Sequence, residues 1–396
     1  MAKTVEWQKN QAQKRLRREK RTVSRAKKNM SDAARLYRVV LRHLRNQLVR
    51  MLPENELTLA MLITGLLRGR NGQLRKIANA VQYDGKKESL IDRFRRFVRN
   101  PNIEVEVEYT PFTDRIIKAI GQGPVVVMID STKMGGQCLC LMVSVYYKSR
   151  ALPLAWVTSK GRKGHSSQAV QLHLFKRVKA LLPADVPVVV LGDGEFDGSA
   201  VIDWFRQNNS WHYVCRTDKT NKIFYQAHWL RLDELPLAQG QDAFLTEVRF
   251  TENNNIGPVN ILVVWHQARD EHWFFVTNCQ SAAEAKDFYT LRFTTETLFS
   301  DLKGRGFNLD DTRLWKPDRL NRLILAAAIA YFFMVVLGVE AIVSGLFRQL
   351  VRTDAFYHSL FQLGLFYLSH ILNEFLDFPS LIDLPPPQTF EHMVIS

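Results

Sequence analysis

The chain has 396 residues, 46% of them hydrophobic, which is enough for large buried cores in two to four domains and too apolar for a disordered protein. Net charge is +15, but residues 1–50 carry 16 Lys/Arg against Glu6, Glu19 and Asp32, so about +13 lies in this segment and the remainder is close to neutral. Such a block suits a polyanion, either nucleic acid or a membrane surface. Four cysteines without a Cys-x-x-Cys or a histidine pair make no case for a disulfide framework or a zinc site, so they read as reduced core residues of a cytosolic protein.

Residues 1–31 read as a basic arm, helical or ordering on DNA, and Met1 is followed by polar sequence rather than a signal peptide. Residues 32–110 read as a helical DNA-binding domain. Apolar spacing is helical from Asp32 to about Arg68, with Pro53 dividing it into two helices. A short amphipathic helix over 72–81, a turn at 83–87 and a second helix over 88–100 then read as a helix–turn–helix. In the second helix Leu90, Ile91, Phe94, Phe97 and Val98 pack inward. That leaves Arg93, Arg95, Arg96 and Arg99 on the remaining arc, suited to phosphates and guanine edges in a major groove. Residues 101–123 read as a link.

Residues 120–219 alternate strands and helices. Strands are expected over 125–130, 138–147 and 151–158, the last two joined by the tight turn Lys148-Ser149-Arg150. A basic loop at 161–166, a helix over 167–182, a strand over 186–192, a helix over 197–209 and a strand over 211–216 follow. Two of these strands are uninterrupted apolar runs ending in acids, Asp130 and Asp193. An acid where a buried strand ends is well placed for an active site in an open α/β sheet, although either one alone is more often a turn or cap residue. Residues 220–280 carry strands over 244–251, 259–266 and 272–277, a β-rich insertion. Residues 281–340 complete the core, and 341–396 are aromatic-rich helices suited to dimerisation. Leu323 to Val339 is 17 uncharged residues, at the lower limit for a membrane span. Its Ala-rich character, and its place where the core needs a covering helix, favour a buried core helix.

One segment concentrates the chemistry. On a helix over about 287–303, Tyr289, Arg292, Glu296 and Lys303 fall at about 0°, 300°, 340° and 320°, a single narrow stripe, with Leu291, Leu298 and Leu302 on the opposite side. A carboxylate flanked by cations and a phenol suits a metal and phosphate oxygens. The bland alternative is an i,i+4 Arg–Glu pair on a solvated face.

With these residues the chain resembles the insertion-sequence transposases with an RNase H-like DDE core, and more narrowly the IS-four-type group. That group carries Tyr, two residues, Arg, three residues, Glu, six residues and Lys around its third acid, and Tyr289 to Lys303 matches this spacing without a gap. The resemblance covers about residues 120–340. It implies a mixed α/β fold, an RNase H-like core interrupted by a β-rich insertion between helical N-terminal and C-terminal segments. It also implies that Asp130, Asp193 and Glu296 are the catalytic and metal-holding acids, with two magnesium or manganese ions. Asp130 would bridge both ions, Asp193 would bind one and Glu296 the other. Asp301 and the pair Asp310-Asp311 are rival third acids. Arg292 and Lys303 would grip the flanking phosphates and Tyr289 would donate to one of them. Trp273 stands where the family places a residue that stacks a flipped base during hairpin formation, with a core Trp as the alternative, and Arg216 matches a position near the DNA end. Lys133, Lys160, Arg162, Lys163 and His165 are further phosphate contacts. The implied partners are terminal inverted repeats, target DNA and a second copy of the chain, in the cytoplasm. The other readings are a transposase-derived DNA-binding protein without catalysis and a membrane-associated protein, which has no use for the acids.

Overall fold

The computed structural model describes residues 30–390 except 49, 122, 162, 163, 165, 185, 209 and 353–357. The basic arm over 1–29 and Arg162, Lys163, His165, Phe356 and Tyr357 therefore lie outside the described residues. The N-terminal helices are α1 (Asp32–Arg45), α2 (Pro53–Gly69), α3 (Leu74–Asn79) and α4 (Lys87–Arg99). Pro53 takes the first helical position of α2, where its missing N–H costs nothing, which explains the division of the helical run there. The expected link holds a further helix, α5 (Val105–Ile120), with Pro111 in its interior. Buried Tyr109, Phe112 and Ile116 anchor α5 to the core, outweighing the hydrogen bond lost at the proline.

The sheet begins with β1 (Val125–Met134), β2 (Cys138–Tyr147) and β3 (Arg150–Lys160), an antiparallel meander. Lys148 and Ser149 turn with φ of 43° and 59°, the left-handed pair that matches the twist of a two-residue hairpin. After α6 (Gln168–Leu181), β4 (Val188–Gly192) pairs parallel to β1. After α7 (Ser199–Arg206), β5 (Trp211–Thr217) pairs parallel to β4. The order β3-β2-β1-β4-β5, with only β2 reversed, is the RNase H-like arrangement.

The insertion does not form a separate sheet. It supplies two short strands that the sequence did not suggest, β6 (Lys222–Tyr225) and β7 (His228–Arg231), then β8 (Ala243–Phe250), β9 (Ile256–His266) and β10 (Glu271–Thr277). β10 pairs antiparallel with β5, so one ten-stranded sheet runs β3-β2-β1-β4-β5-β10-β9-β8-β6-β7. Docking on β5 covers an otherwise open edge of the core.

The long helix α10 (Pro317–Val343) is, among the described residues, the one helix long and apolar enough to cross a membrane, yet 94% of its most apolar window is buried inside the protein. It is the hub of the fold. The helix α12 (Leu360–Asn373) crosses it so closely that a Cβ on Gly364 would lie 1.8 Å from the Met334 carbonyl, and one on Gly338 would lie 2.0 Å from that of Leu360. Between these two helices lies the short α11 (Phe347–Leu350). Two buried arginines tie the ends together. Arg322 donates to Val98 O and Ile103 O, and Arg35 donates to Leu372 O and Leu376 O. All four cysteines are buried and free.

Candidate active site

β1 pairs with β4 only as far as Ile129–Gly192, then continues beside β2 alone. Asp130 is the first residue past that point, and Asp193 follows Gly192 at the end of β4. Both acids thus stand just past the carboxyl-side limit of the parallel β1–β4 pairing, the side where open sheets place ligands. The expected strand end at Asp130 is corrected: β2 keeps pairing through Met134, so Asp130 is mid-strand and 2% exposed.

The expected single helix over 287–303 is also corrected. It is α8 (Ala282–Thr290), a 3₁₀ turn at Leu291–Phe293, and α9 (Thr294–Leu302), with Lys303 just beyond its end. Thr290 Oγ1 donates to Asp287 O and Thr294 Oγ1 to Leu291 O, so hydroxyls compete for carbonyls on both sides of the joint. The tightened turn carries Arg292 inward, where it is 8% exposed. Leu298 and Leu302 are buried as their spacing requires, and Thr295 Oγ1 lies 3.3 Å from Ser144 Oγ of β2, fixing α9 over the meander.

Arg292 joins two of the acids. Its Nη2 donates to Glu296 Oε1 at 2.7 Å and its Nη1 lies 3.6 Å from Asp130 Oδ2. The i,i+4 pair is therefore present, but its arginine is buried rather than solvated. Burial opposes the guanidinium charge, and Tyr289, Asp130 and Glu296 together outweigh it, holding its pKa above the usual value. Tyr289 packs edge-on against Phe275 at 4.5 Å, with the Arg292 guanidinium 5.7 Å from its ring centroid. Burial raises the Tyr289 phenol to about 12, against the opposing pull of Arg292 and Arg216, so it remains a proton donor at neutral pH. Arg292 Nε is buried with no hydrogen-bond partner in the protein. Lys303 Nζ lies 3.9 Å from Asp310 Oδ1, while Asp311 accepts from Asn71 Nδ2 and pairs with Lys76. The rival acids thus sit beside the Lys303 end rather than with Asp130. Asp301 is buried on the inner side of α9.

Among the described residues no three His, Cys, Asp or Glu side chains gather as a ready-made metal cluster, so the expected trio does not form one here. The donor chemistry nonetheless fits a hard divalent cation. Asp130 and Glu296 already share one cationic group, the Arg292 guanidinium, and every donor in the set is a carboxylate oxygen.

The second cluster lies at the β5–β10 junction. Arg216 pairs in register with Phe275, and Trp273 with Val264, which places Arg216, Trp273 and His266 as diagonal neighbours on one sheet face. The Arg216 guanidinium sits 4.1 Å from the Trp273 ring centroid, Arg269 sits 5.6 Å from it, and the His266 ring stacks at 3.9 Å. Glu271 accepts from Trp273 Nε1 and lies 3.7 Å from Arg216. Trp273 is therefore neither a buried core residue nor an empty stacking face, since its π surface is engaged by cations and an imidazole. Phe275, two residues on, carries this cluster to Tyr289.

On α4 the five apolar residues are buried as expected. Arg93 is not on the outer arc: its Nε donates to Thr58 Oγ1 and its Nη2 to Glu54 O, fastening α4 to α2. Arg95 pairs with Asp92 at 2.8 Å while half-exposed, and Arg96 and Arg99 are exposed. Sequence reasoning missed Glu195, which accepts from Ser131 Oγ at 2.8 Å directly beside Asp130. An acid two residues after Asp193 was the available signal. It also missed His266, whose sign was its place at the end of a strand opposite the Trp273 strand.

Residues 121–333, more than half of the chain, match the family described as the transposase DDE domain. No curated protein matches the chain significantly. Among solved structures it is similar to the piggyBac transposase synaptic complex with hairpin DNA, at 11% identity and a TM-score of 0.43, over 87% of this chain and 79% of that one. On the family match, the chain belongs to the transposases with a DDE domain.

Proposed function

We propose that this protein is a cut-and-paste DNA transposase of the IS-four-type group, which excises an insertion sequence through a hairpin and joins it to target DNA. The observation that carries the reading is Arg292 held between Asp130 and Glu296, with Asp193 on the adjacent parallel strand. Asp130, Asp193 and Glu296 would hold magnesium or manganese, two ions per site, which when bound neutralise phosphate charge and activate a water or 3′-hydroxyl. The remaining chemistry belongs to the chain. Tyr289 donates a proton-bearing hydroxyl to a phosphate oxygen. Arg292 offers its unpartnered Nε to a further acceptor, and a substrate phosphate would satisfy that buried donor. Lys303 and Arg216 add positive charge along the strand that leaves the site. Residues 1–110, with Arg95, Arg96 and Arg99 of α4 outward, would hold the terminal inverted repeats, and a homodimer in the cytoplasm would pair the two ends on nucleoid DNA.

Incubating the protein with a duplex bearing the element end should give end-specific nicks with Mg²⁺ or Mn²⁺ and none with EDTA. Tight end binding without nicks in either metal would decide for a transposase-derived binding protein instead.

Hairpin closure gives a sharper test. A flipped base would stack on Trp273 by exchanging with His266 or an arginine over the indole. Trp273→Ala should leave the first nick intact and slow hairpin closure. Losing a base–aromatic stack costs about 1–3 kcal/mol, roughly 5- to 150-fold in rate. Nicked DNA should accumulate in a time course. Equal loss of nick and hairpin bands, with a lowered Tm, would make Trp273 a packing residue only.

A further inference from the structure

Glu195 is the centre of a hydrogen-bonded bridge between the two strand-borne acids. Its backbone N–H donates to Asp193 Oδ1 at 3.1 Å. Its carboxylate oxygen Oε2 accepts from Ser131 Oγ at 2.8 Å, and the Ser131 N–H donates to Asp130 Oδ1 at 2.7 Å. Each acid therefore rests one oxygen on a backbone amide, and the residues that own those amides are clamped to each other by one side-chain hydrogen bond. Ser131 is fully buried, so its hydroxyl has no water to fall back on.

Both Glu195 oxygens are already engaged. Oε1 accepts from Ser166 N at 2.7 Å, and Oε2 accepts from Gly164 N at 3.2 Å besides Ser131. The Glu195 carbonyl takes Gln171 Nε2 at 3.0 Å, anchoring the segment to the first turn of α6. A carboxylate receiving three donors is held in place rather than available as a ligand. Its orientation lets a single group fix the spacing between β1 and β4 at the point where their own pairing has ended.

We propose that Glu195 is a positioning residue, which sets the distance and aim of Asp130 and Asp193 through Ser131 and so determines the affinity of the acid site for divalent metal. The inference rests on the DDE reading above. Partners that orient metal-holding side chains typically contribute 10- to 100-fold to metal affinity.

The test is Mn²⁺ binding to the full-length protein without DNA, followed by electron paramagnetic resonance, beside Tm and end binding. Glu195→Gln preserves volume but presents an amide N–H₂ to donors, and Ser131→Ala breaks the bridge from the other side. Each should weaken Mn²⁺ binding by about 10-fold or more while Tm and end binding stay near wild type. The double variant should be no worse than the more affected single variant, because both remove one link. Raised Mn²⁺ should restore nicking in both. Wild-type Mn²⁺ affinity in the two single variants, with binding abolished in Asp130→Asn, would overturn the role of Glu195 and leave the acid site standing. No Mn²⁺ binding by the wild type would overturn both. A fall in Tm and end binding with unchanged metal affinity would make Glu195 a loop anchor only.

Discussion

Glu296→Gln is expected to abolish strand cleavage, by on the order of 10³-fold or more, with end binding and Tm unchanged. That exceeds the ~10–100-fold typical of groups that only orient metal ligands. The Glu296 side chain is 56% exposed, so its loss removes a reactive carboxylate and a single hydrogen bond from Arg292 without opening the core. Asp130 is the harder case. Its side chain is 3% exposed and faces a guanidinium that is itself 10% exposed. Truncation to Ala would leave a cavity and a poorly compensated buried charge, and removing one partner of a buried pair costs about 3–5 kcal/mol. Asp130→Ala should therefore lose cleavage and stability together. Asp130→Asn, which keeps the volume, should lose mainly cleavage. Asp193→Asn should behave like Glu296→Gln. Nick formation on an end-bearing duplex, read beside thermal melts, separates these outcomes. Full cleavage by Glu296→Gln or by either Asn variant would sink the three-acid assignment.

The sheet was readable because its central strands are buried on both faces and so appear as unbroken Val/Ile runs, and because the β2–β3 turn is short. Asp130 and Asp193 stand out in the sequence for the same reason, as charges at the ends of such runs. What escaped depends on tertiary placement. α5 was hidden by Pro111, whose local signal is overridden by the burial of Tyr109, Phe112 and Ile116. β6 and β7 are four residues each, too short for alternation to show. The break at Leu291–Phe293 leaves the helical period nearly intact, so an angular projection still placed Arg292 beside Glu296 but could not show that Arg292 turns inward to Asp130. The bridge through Glu195 could not be read from spacing either, since Ser131 and Glu195 lie 64 positions apart and meet only through the parallel pairing of β1 with β4.

Asp301 is the buried rival, on the same helix, to Glu296 as the proposed third acid. It lies five positions after Glu296, is 1% exposed, and its Oδ2 has no hydrogen-bond partner. Burial raises its pKa from 3.8 to about 6, against the opposing pull of Arg150 and Arg305. The ionised form is thus disfavoured in the folded protein by about 3 kcal/mol. The folded state keeps this proton up to about pH 6, whereas the unfolded chain releases it near 3.8. Its stabilising effect is full below pH 3.8, falls as pH rises through that window, and is gone above about 6. Asp301→Asn should therefore be more stable than wild type at pH 7.5, by up to about 3 kcal/mol, and nearly equal to it close to pH 4. Denaturant melts of both proteins between pH 4 and 7.5 measure the difference. Nicking should survive the substitution, because a carboxyl buried on the inner side of α9 does not reach the crevice between β1 and β4. Loss of cleavage in a stabilised Asp301→Asn protein would instead make Asp301 the third acid and Glu296 the counter-ion of Arg292.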